Sequence, residues 1–371
     1  MDKGRLDEID ILRGFAFLAV VLQHILAGYF TNTGYSVIIL SLFLSISRFA
    51  VPMFVFITGL VLFYSSKKLS YFKFINRRFS KIFIPYALVT ILYYVYQASS
   101  NLIHQKNIFV ILKDYLFLLV TGKGSYHLWF VIMIFQFYLL IPLFRCVINK
   151  NNGFKKNMFI LAFSFVVYLV IIYSRSYYIP YINNGLKSTY FEILLVYLDR
   201  NFIPWFFYFI LGGMAGLYLD EWKRIIARFF KLNIMIYLIG LAPIIYLLLT
   251  NKSVQATAWY AEISGPLSIK MVVFLTASIP VLYFIAQSLA EKNVVFSNII
   301  KAFGHHSYGC YLIHAFVLHF TRSFTTTVLG WMNPFLQVMV SFLLCSVICL
   351  ISMMSISGIK FPAKDIATEA G

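Results

Sequence analysis

The sequence is dominated by unbroken apolar runs of about 20 residues, the length that an α-helix needs to cross the hydrocarbon core of a bilayer. Of its 371 residues, 61% are hydrophobic and 12% are charged, whereas a typical soluble domain has roughly 25% charged residues. A soluble globular fold is excluded, because one core cannot bury so many apolar side chains. The sequence therefore predicts an all-α, polytopic membrane protein.

Ten apolar runs are long enough to cross a bilayer, so we expect a bundle of about ten transmembrane helices. Their approximate bounds are 9–30, 36–64, 82–100, 126–148, 157–174, 203–219, 232–250, 266–289, 308–329 and 334–357. The apolar segment Ile108–Val120 is shorter and contains Lys113 and Asp114, so we expect a re-entrant or interfacial helix there. No repeat or linker tract divides the series, which predicts one membrane-embedded domain over residues 1–371 without an appended soluble domain.

The formal net charge of +18 is explained more simply by membrane topology than by nucleic-acid binding. If the N-terminus is cytoplasmic, the inner connections contain 19 lysines and arginines and the outer connections contain 7. The positive-inside rule then places both termini in the cytoplasm and the loop Ser176–Ile203 outside. The four cysteines lie in apolar runs without paired spacing, so neither a disulfide framework nor a bound metal is expected.

The first apolar run contains ionisable side chains, which are expensive at membrane depth and often functional. Arg13 and His24 are eleven positions apart, close to three helical turns, so both project from one face about 16 Å apart. Asp10 lies one turn before Arg13 and can neutralise it. His24 has two interpretations: an interhelical hydrogen bond, or a general base, since imidazole has an unperturbed pKa near 6.5.

A second basic segment, Tyr71–Tyr86, contains Arg77, Arg78 and Lys81 at the cytoplasmic end of the third run. These side chains are either a positive-inside anchor that reaches lipid phosphates or a clamp for a polyphosphate ligand. Other polar positions are weaker candidates. They are His127 and Trp129 at the expected outer end of the fourth run, His314 and His319 on different faces of the ninth, and His305 and His306 in an expected solvated connection.

Several segments together resemble the acyltransferase-3 family of integral membrane O-acyltransferases, which modify bacterial glycans. The matching segments, in order, are IDILRGFAFLAVVLQH, VPMFVFITGL, RRFSKIFIPY, HLWF, FYFILGGMAG and FGHHSYGCYLIH. The sequence departs from the family pattern at Thr58, where serine is common, and at Lys81, where the family has arginine. Lysine keeps the charge but loses the planar fork that binds phosphate in a bidentate manner.

This resemblance implies transfer of an acyl group, most often acetyl, from cytoplasmic acyl-CoA to a hydroxyl of an extracytoplasmic or lipid-linked glycan. By position, the residues that the family requires correspond to Arg13, His24, Arg78 and Lys81. We therefore expect His24 and Arg13 to be catalytic, and Arg13, Arg77, Arg78 and Lys81 to bind the donor. The expected location is the bacterial plasma membrane, in contact with lipid and without a metal.

Two alternatives remain open at the level of sequence. His24 can deprotonate the acceptor hydroxyl directly or accept the acyl group before passing it on. The chain could instead export a surface polysaccharide, a function also given to some relatives of this family.

Topology gives the first testable prediction. In a cysteine-free variant, single cysteines placed at Asn152 and Asn184 should differ in reaction with an impermeant maleimide on intact cells. Only the cysteine at position 184 should be labelled, because it lies in the expected outer loop. Labelling at position 152 would reverse the orientation.

Overall fold

The computed structural model describes residues 6–27, 35–65, 70–98, 107–185, 200–250, 264–292 and 294–358. Within these ranges the chain is helical and has no strand, which confirms the all-α prediction. A π-helical turn over Phe79–Phe83 joins α4 to α5. The helices are α1 Asp7–Leu26, α2 Tyr35–Ser47, α3 Ala50–Tyr64, α4 Tyr71–Arg78, α5 Ile84–Ala98, α6 Ile108–Thr121, α7 Trp129–Leu139, α8 Ile141–Val147, α9 Gly153–Gly185, α10 Phe206–Leu217, α11 Leu219–Arg228, α12 Phe230–Thr250, α13 Val272–Lys292, α14 Val295–Val328 and α15 Pro334–Gly358.

The count of ten transmembrane helices is approximate. By length and composition, seven of the described helical segments can cross a membrane, or eight if the bent pair α10 and α11, which meet at 104°, counts as one crossing. The ninth expected run, 308–329, lies inside α14 except for its last residue, and α14 is long but contains more polar residues. The first part of the expected outer loop, Ser176–Ile203, is helical, because α9 extends to Gly185. Residues 186–199 of this loop lie outside the described part of the chain.

Helix α1 lies at the centre of the bundle and packs against α2, α3, α13, α14 and α15. A helix that is apolar on most of its faces can be surrounded by protein or by lipid, and α1 is surrounded by protein. Accordingly Ile11, Leu12, Phe17, Val21 and Ile25 are fully buried. The first span is therefore a central helix of the bundle and has little contact with lipid.

Ion pairs tie the first turn of α1 to its neighbours. Lys301 Nζ of α14 lies 2.6 Å from Asp7 Oδ2, and Lys223 Nζ of α11 lies 2.6 Å from Glu8 Oε1. The Tyr283 hydroxyl of α13 donates to the same Glu8 oxygen at 3.3 Å. Carboxylates at a helix N-terminus also interact favourably with the helix dipole. Both this interaction and the contacts to neighbouring helices therefore stabilise the N-terminal end of α1.

The fourth expected span, 126–148, differs from the observed structure. Residues 122–128 form turns, and the helical part begins at Trp129. Helix α6 precedes the turn and packs beside the start of α5, where the Tyr86 hydroxyl donates to the Leu119 carbonyl at 2.6 Å. The turn begins at Gly122, whose φ of 66° favours glycine. Helices α6 and α7 are therefore separate helices joined by the seven-residue turn 122–128.

The turn between α6 and α7 lies deep in the bundle. The Tyr311 hydroxyl of α14 donates to the His127 carbonyl, and His314 follows one turn later. His314 is thirteen residues beyond Lys301, which corresponds to about 20 Å along a helix axis, within a hydrocarbon core of about 30 Å. Non-helical backbone at such depth requires burial within protein or a cavity, and His127 and Leu128 are buried.

Glycines let α3 and α10 pack with their backbones in contact. A Cβ atom added at Gly212 would collide with the Phe56 carbonyl oxygen, and one added at Gly216 would collide with the Leu60 carbonyl oxygen. Because lipid tails are as apolar as leucine, helices in membranes gain stability chiefly from such close packing. This contact holds the α3 wall of the cavity described below.

Replacing Gly212 should test the contribution of this contact. We expect Gly212→Ala to lower the thermal unfolding midpoint in detergent by a few degrees, because overpacking costs about 1–3 kcal/mol. Gly358→Ala is the matched control, since no atom lies within 4 Å of an added Cβ there. Equal midpoints for both variants would contradict the packing argument.

Candidate active site

A cavity of about 270 Å³ lies between α1, α3, α7, α14 and the junction of α4 with α5. The cavity is lined by charged and polar side chains as well as by apolar ones. The polar residues are Arg13, Thr58, Arg78, Tyr138, His305, Ser307, Tyr308 and Tyr311, and the apolar ones are Phe54, Ile57, Val61, Leu62, Ile82, Phe130, Val131 and Ile134. A slender ligand with an anionic end and an apolar arm suits this combination of groups.

The two arginines of the cavity come from distant parts of the sequence. Arg13 of α1 has its Nη1 atom 3.3 Å from Asp10 Oδ1, and the Asp10 carboxylate is largely buried. Arg78, the last residue of α4, stacks its guanidinium over the Tyr138 ring at 5.0 Å and the Phe74 ring at 5.4 Å. These contacts orient both guanidinium groups in the cavity wall.

The other basic residues of the predicted clamp do not line the cavity. Arg77 and Lys81 are exposed. Lys81 lies in the π-helical turn, where the wider winding changes the directions of side chains three positions apart. His305 was expected in a solvated connection, but it belongs to α14 and lines the cavity with an exposed side chain. The structure thus brings Arg13, Arg78 and His305 together.

His24 lies outside the cavity lining, in a cluster of three histidines from α1, the α6–α7 turn and α14. Ring centroids are 5.3 Å apart for His24 and His314, 4.5 Å for His127 and His314, and 6.5 Å for His24 and His127. The Tyr126 ring covers His24 at 4.6 Å. His127 is 2% exposed and His314 is fully buried, whereas His24 is partly exposed. His319 is exposed and lies outside the cluster, as expected from its different helix face.

Tyr311 connects the cavity to the histidine cluster. It lines the cavity, and its ring lies 5.2 Å from the ring of His127 and 5.6 Å from that of His314. Arg13 and His24 both lie on the side of α1 that faces α14, because Arg13 shares the cavity with α14 residues and His24 stacks on His314. One aromatic layer therefore lies between the arginine end and the histidine end of the site.

Sequence reasoning missed Arg48, which lies at the break between α2 and α3. Its Nη1 donates to Gln23 Oε1 at 3.4 Å, and Gln23 Nε2 donates to the Ser47 carbonyl at 2.6 Å. Gln23 adjoins His24, so a guanidinium lies beside the histidine cluster. An arginine inside an apolar run is costly, and that rule, applied to the second run, was the signal that could have found it.

The arrangement can perform two kinds of chemistry at its two ends. Guanidinium groups bind phosphate oxygens through charge-assisted hydrogen bonds. Neutral imidazole can accept a proton from a hydroxyl. In the described part of the chain, no group of three or more His, Cys, Asp or Glu residues could hold a metal ion.

Two curated bacterial proteins are similar to this chain over most of its length. A protein of Bacillus subtilis, named as a candidate membrane-bound acyltransferase, is 23% identical over 320 residues, which cover 85% of this chain and 81% of the relative. A protein of Staphylococcus epidermidis, named as a candidate export protein for poly-β-1,6-N-acetyl-D-glucosamine, is 25% identical over 336 residues, covering 88% and 84%. No solved structure matches the chain significantly.

The family model described as an acyltransferase domain matches residues 6–354, which include every residue of the cavity and of the histidine cluster. The resemblance seen in the short sequence segments is therefore confirmed. The chain is a multi-pass membrane protein that belongs to the acyltransferase-3 family.

Proposed function

We propose that this acyltransferase moves an acyl group, acetyl in the simplest case, from cytoplasmic acyl-CoA to a hydroxyl of an extracytoplasmic or lipid-linked glycan. The observation that carries the proposal is the position of Tyr311. This residue has a basic cavity on one side and His24 with its partner histidines on the other. The thioester of a donor held in the cavity would have to extend past the Tyr311 ring to come into contact with this general base.

The cavity fits the donor better than it fits a glycan. Arg13 and Arg78 offer planar donors for the phosphates of CoA, which cannot enter hydrocarbon. The apolar walls beyond them suit the pantetheine arm and a short acyl group. A volume of about 270 Å³ is near the lower end of ligand pockets, roughly 300–1,000 Å³, so it suits one slender chain.

In the direct route, His24 removes the proton of the acceptor hydroxyl while the hydroxyl oxygen attacks the thioester carbon. The carbon–sulfur bond then breaks, and the thiolate of CoA takes the proton from the imidazolium of His24. The alternative route forms an acyl-imidazole on His24 first and releases CoA before the acceptor attacks. Both routes yield the same ester and free CoA.

Polysaccharide export is the second candidate function. The name of the Staphylococcus epidermidis relative favours it. The non-helical turn 122–128 between α6 and α7 also favours it, because transporters often build their sites from discontinuous helices. Purified protein in liposomes, given radiolabelled acetyl-CoA and β-1,6-linked N-acetylglucosamine oligomers, distinguishes the two candidates. Label in the oligomer supports acyl transfer, whereas movement of oligomer without label supports export.

The role of His24 can be tested by substitution with asparagine. We expect His24→Asn to insert and bind acetyl-CoA normally but to transfer about 10²- to 10⁴-fold more slowly, as is typical when a positioned base is removed. Radiolabel transfer in liposomes measures the rate. If the variant retains more than a few per cent of the wild-type rate, another group is the base.

The role of Arg78 can be tested by donor binding. We expect Arg78→Ala to raise the acetyl-CoA dissociation constant about 10- to 150-fold, because a charge-assisted hydrogen bond contributes roughly 1.5–3 kcal/mol. Arg78→Lys should recover only part of the affinity. Calorimetry on the solubilised protein provides the constants.

Arg224→Ala is the control for this experiment, since Arg224 is basic and exposed but pairs with Glu221 on α11, away from the cavity. It should bind acetyl-CoA like the wild type. If all the variants have equal dissociation constants, Arg78 is a lipid anchor and does not bind the donor.

A further inference from the structure

The hydrogen bonds of His314 fix which of its nitrogens carries the proton. Its Nδ1 atom lies 2.6 Å from the Tyr311 carbonyl oxygen. A carbonyl oxygen can only accept, so Nδ1 is the donor and, in a neutral ring, Nε2 holds the lone pair. Nε2 is therefore an acceptor, and it is buried without a hydrogen bond in the part of the chain that the structure describes.

His127 adds two more buried ring nitrogens, one of which is a donor and the other an acceptor in a neutral ring. Neither Nδ1 nor Nε2 of His127 has a hydrogen bond of ordinary geometry among the described residues, although the side chain is 2% exposed. Its ring lies 4.5 Å from that of His314. Buried polar atoms are seldom left without partners, because desolvation without a hydrogen bond is costly. Three such atoms side by side indicate that a ligand or water completes the site.

The chemistry of these nitrogens selects the class of ligand. A neutral imidazole offers one donor and one acceptor, and hydroxyl groups offer the same pair. Three tyrosine rings contact the two imidazoles: Tyr93, Tyr126 and Tyr311. The histidines do not form a group that could hold a metal ion. A neutral polyhydroxylated ligand fits this set of donors, acceptors and ring faces.

The position of the two histidines indicates which substrate they would contact. They lie on the far side of Tyr311 from the donor cavity and within ring contact of His24. Tyr126, which covers His24 and also contacts the His127 ring at 5.3 Å, is 53% exposed. A ligand approaching past Tyr126 would meet the partly exposed His24 first and the buried rings of His127 and His314 behind it, without passing through the donor cavity.

We propose that Nε2 of His314 and the ring nitrogens of His127 form a subsite for the hydroxyl groups of a carbohydrate acceptor and hold one hydroxyl against His24. This inference deepens the proposed acyl transfer and takes its acceptor class from it. The two histidines contact the acceptor, and neither takes the proton in the reaction.

Two substitutions at His314 separate ligand binding from a structural role. Asparagine places an amide near the position of Nδ1, so it can still donate to the Tyr311 carbonyl but lacks the acceptor at Nε2. Glutamine places its amide near Nε2, so it can still accept from a hydroxyl. His319→Asn is the control, because His319 is exposed on the same helix and lies outside both the cavity and the cluster.

The experiment measures binding of β-1,6-linked N-acetylglucosamine pentamer to the solubilised full chain by calorimetry. Transfer kinetics with both substrates follow in liposomes. We expect His314→Asn and His127→Phe to raise the pentamer dissociation constant and acceptor KM roughly 5- to 150-fold. The acetyl-CoA KM should stay within about twofold, which also shows that the variants fold. His314→Gln should remain within about threefold of the wild type, and His319→Asn should equal it.

Each other outcome contradicts a distinct part of the account. If His314→Asn behaves like the wild type while His314→Gln loses affinity, His314 only supports the Tyr311 carbonyl and the subsite is wrong. If all variants bind like the wild type, the nitrogens hold water only. If the wild type does not bind the pentamer, the carbohydrate assignment fails. If binding follows the expected order but no acetyl group is transferred, the subsite stands and the proposed acyl transfer fails.

Discussion

The close crossing of α1 and α14 is the contact on which the site depends. A Cβ atom added at Gly14 would collide with the Ile300 carbonyl oxygen, and one added at Gly304 would collide with the Asp10 carbonyl oxygen. The helices run parallel, because Asp7 pairs with Lys301 and His24 stacks on His314. One helix therefore supplies the arginine and histidine of the first span, and the other supplies the cavity wall and the partner imidazole.

This crossing also explains why polar side chains are tolerated in so apolar a protein. Arg13, His24 and His314 lie where α1 and α14 face each other, so each ionisable group faces protein or the cavity instead of hydrocarbon. Hydrogen bonds and an ion pair at the two ends of the site also fix the orientation of its polar side chains. Asp10 pairs with Arg13, and the Tyr311 carbonyl accepts from His314. Arg48 donates to Gln23, which adjoins His24 in the sequence.

The sequence predicts those parts of the fold and site that depend on local pattern. Apolar runs predict membrane helices, and a spacing of eleven places Arg13 and His24 on the face of α1 that meets α14. Prediction fails where a break changes the register. The turn before Trp129 brings His127 into the bundle, and the π-helical turn leaves Lys81 exposed while Arg78 lines the cavity. Neither break follows from hydropathy, because both lie within apolar or amphipathic stretches.

The central claim is that acyl-CoA enters from the arginine end and presents its thioester across Tyr311 to His24. A cryo-electron microscopy structure of the protein with a non-hydrolysable thioether analogue of acetyl-CoA tests it most directly. We expect phosphate oxygens within hydrogen-bond distance of Arg13 and Arg78, and the acyl end beside Tyr311 on the side of His24. An analogue bound with its phosphates elsewhere, or with its acyl end directed away from Tyr311, would contradict the account.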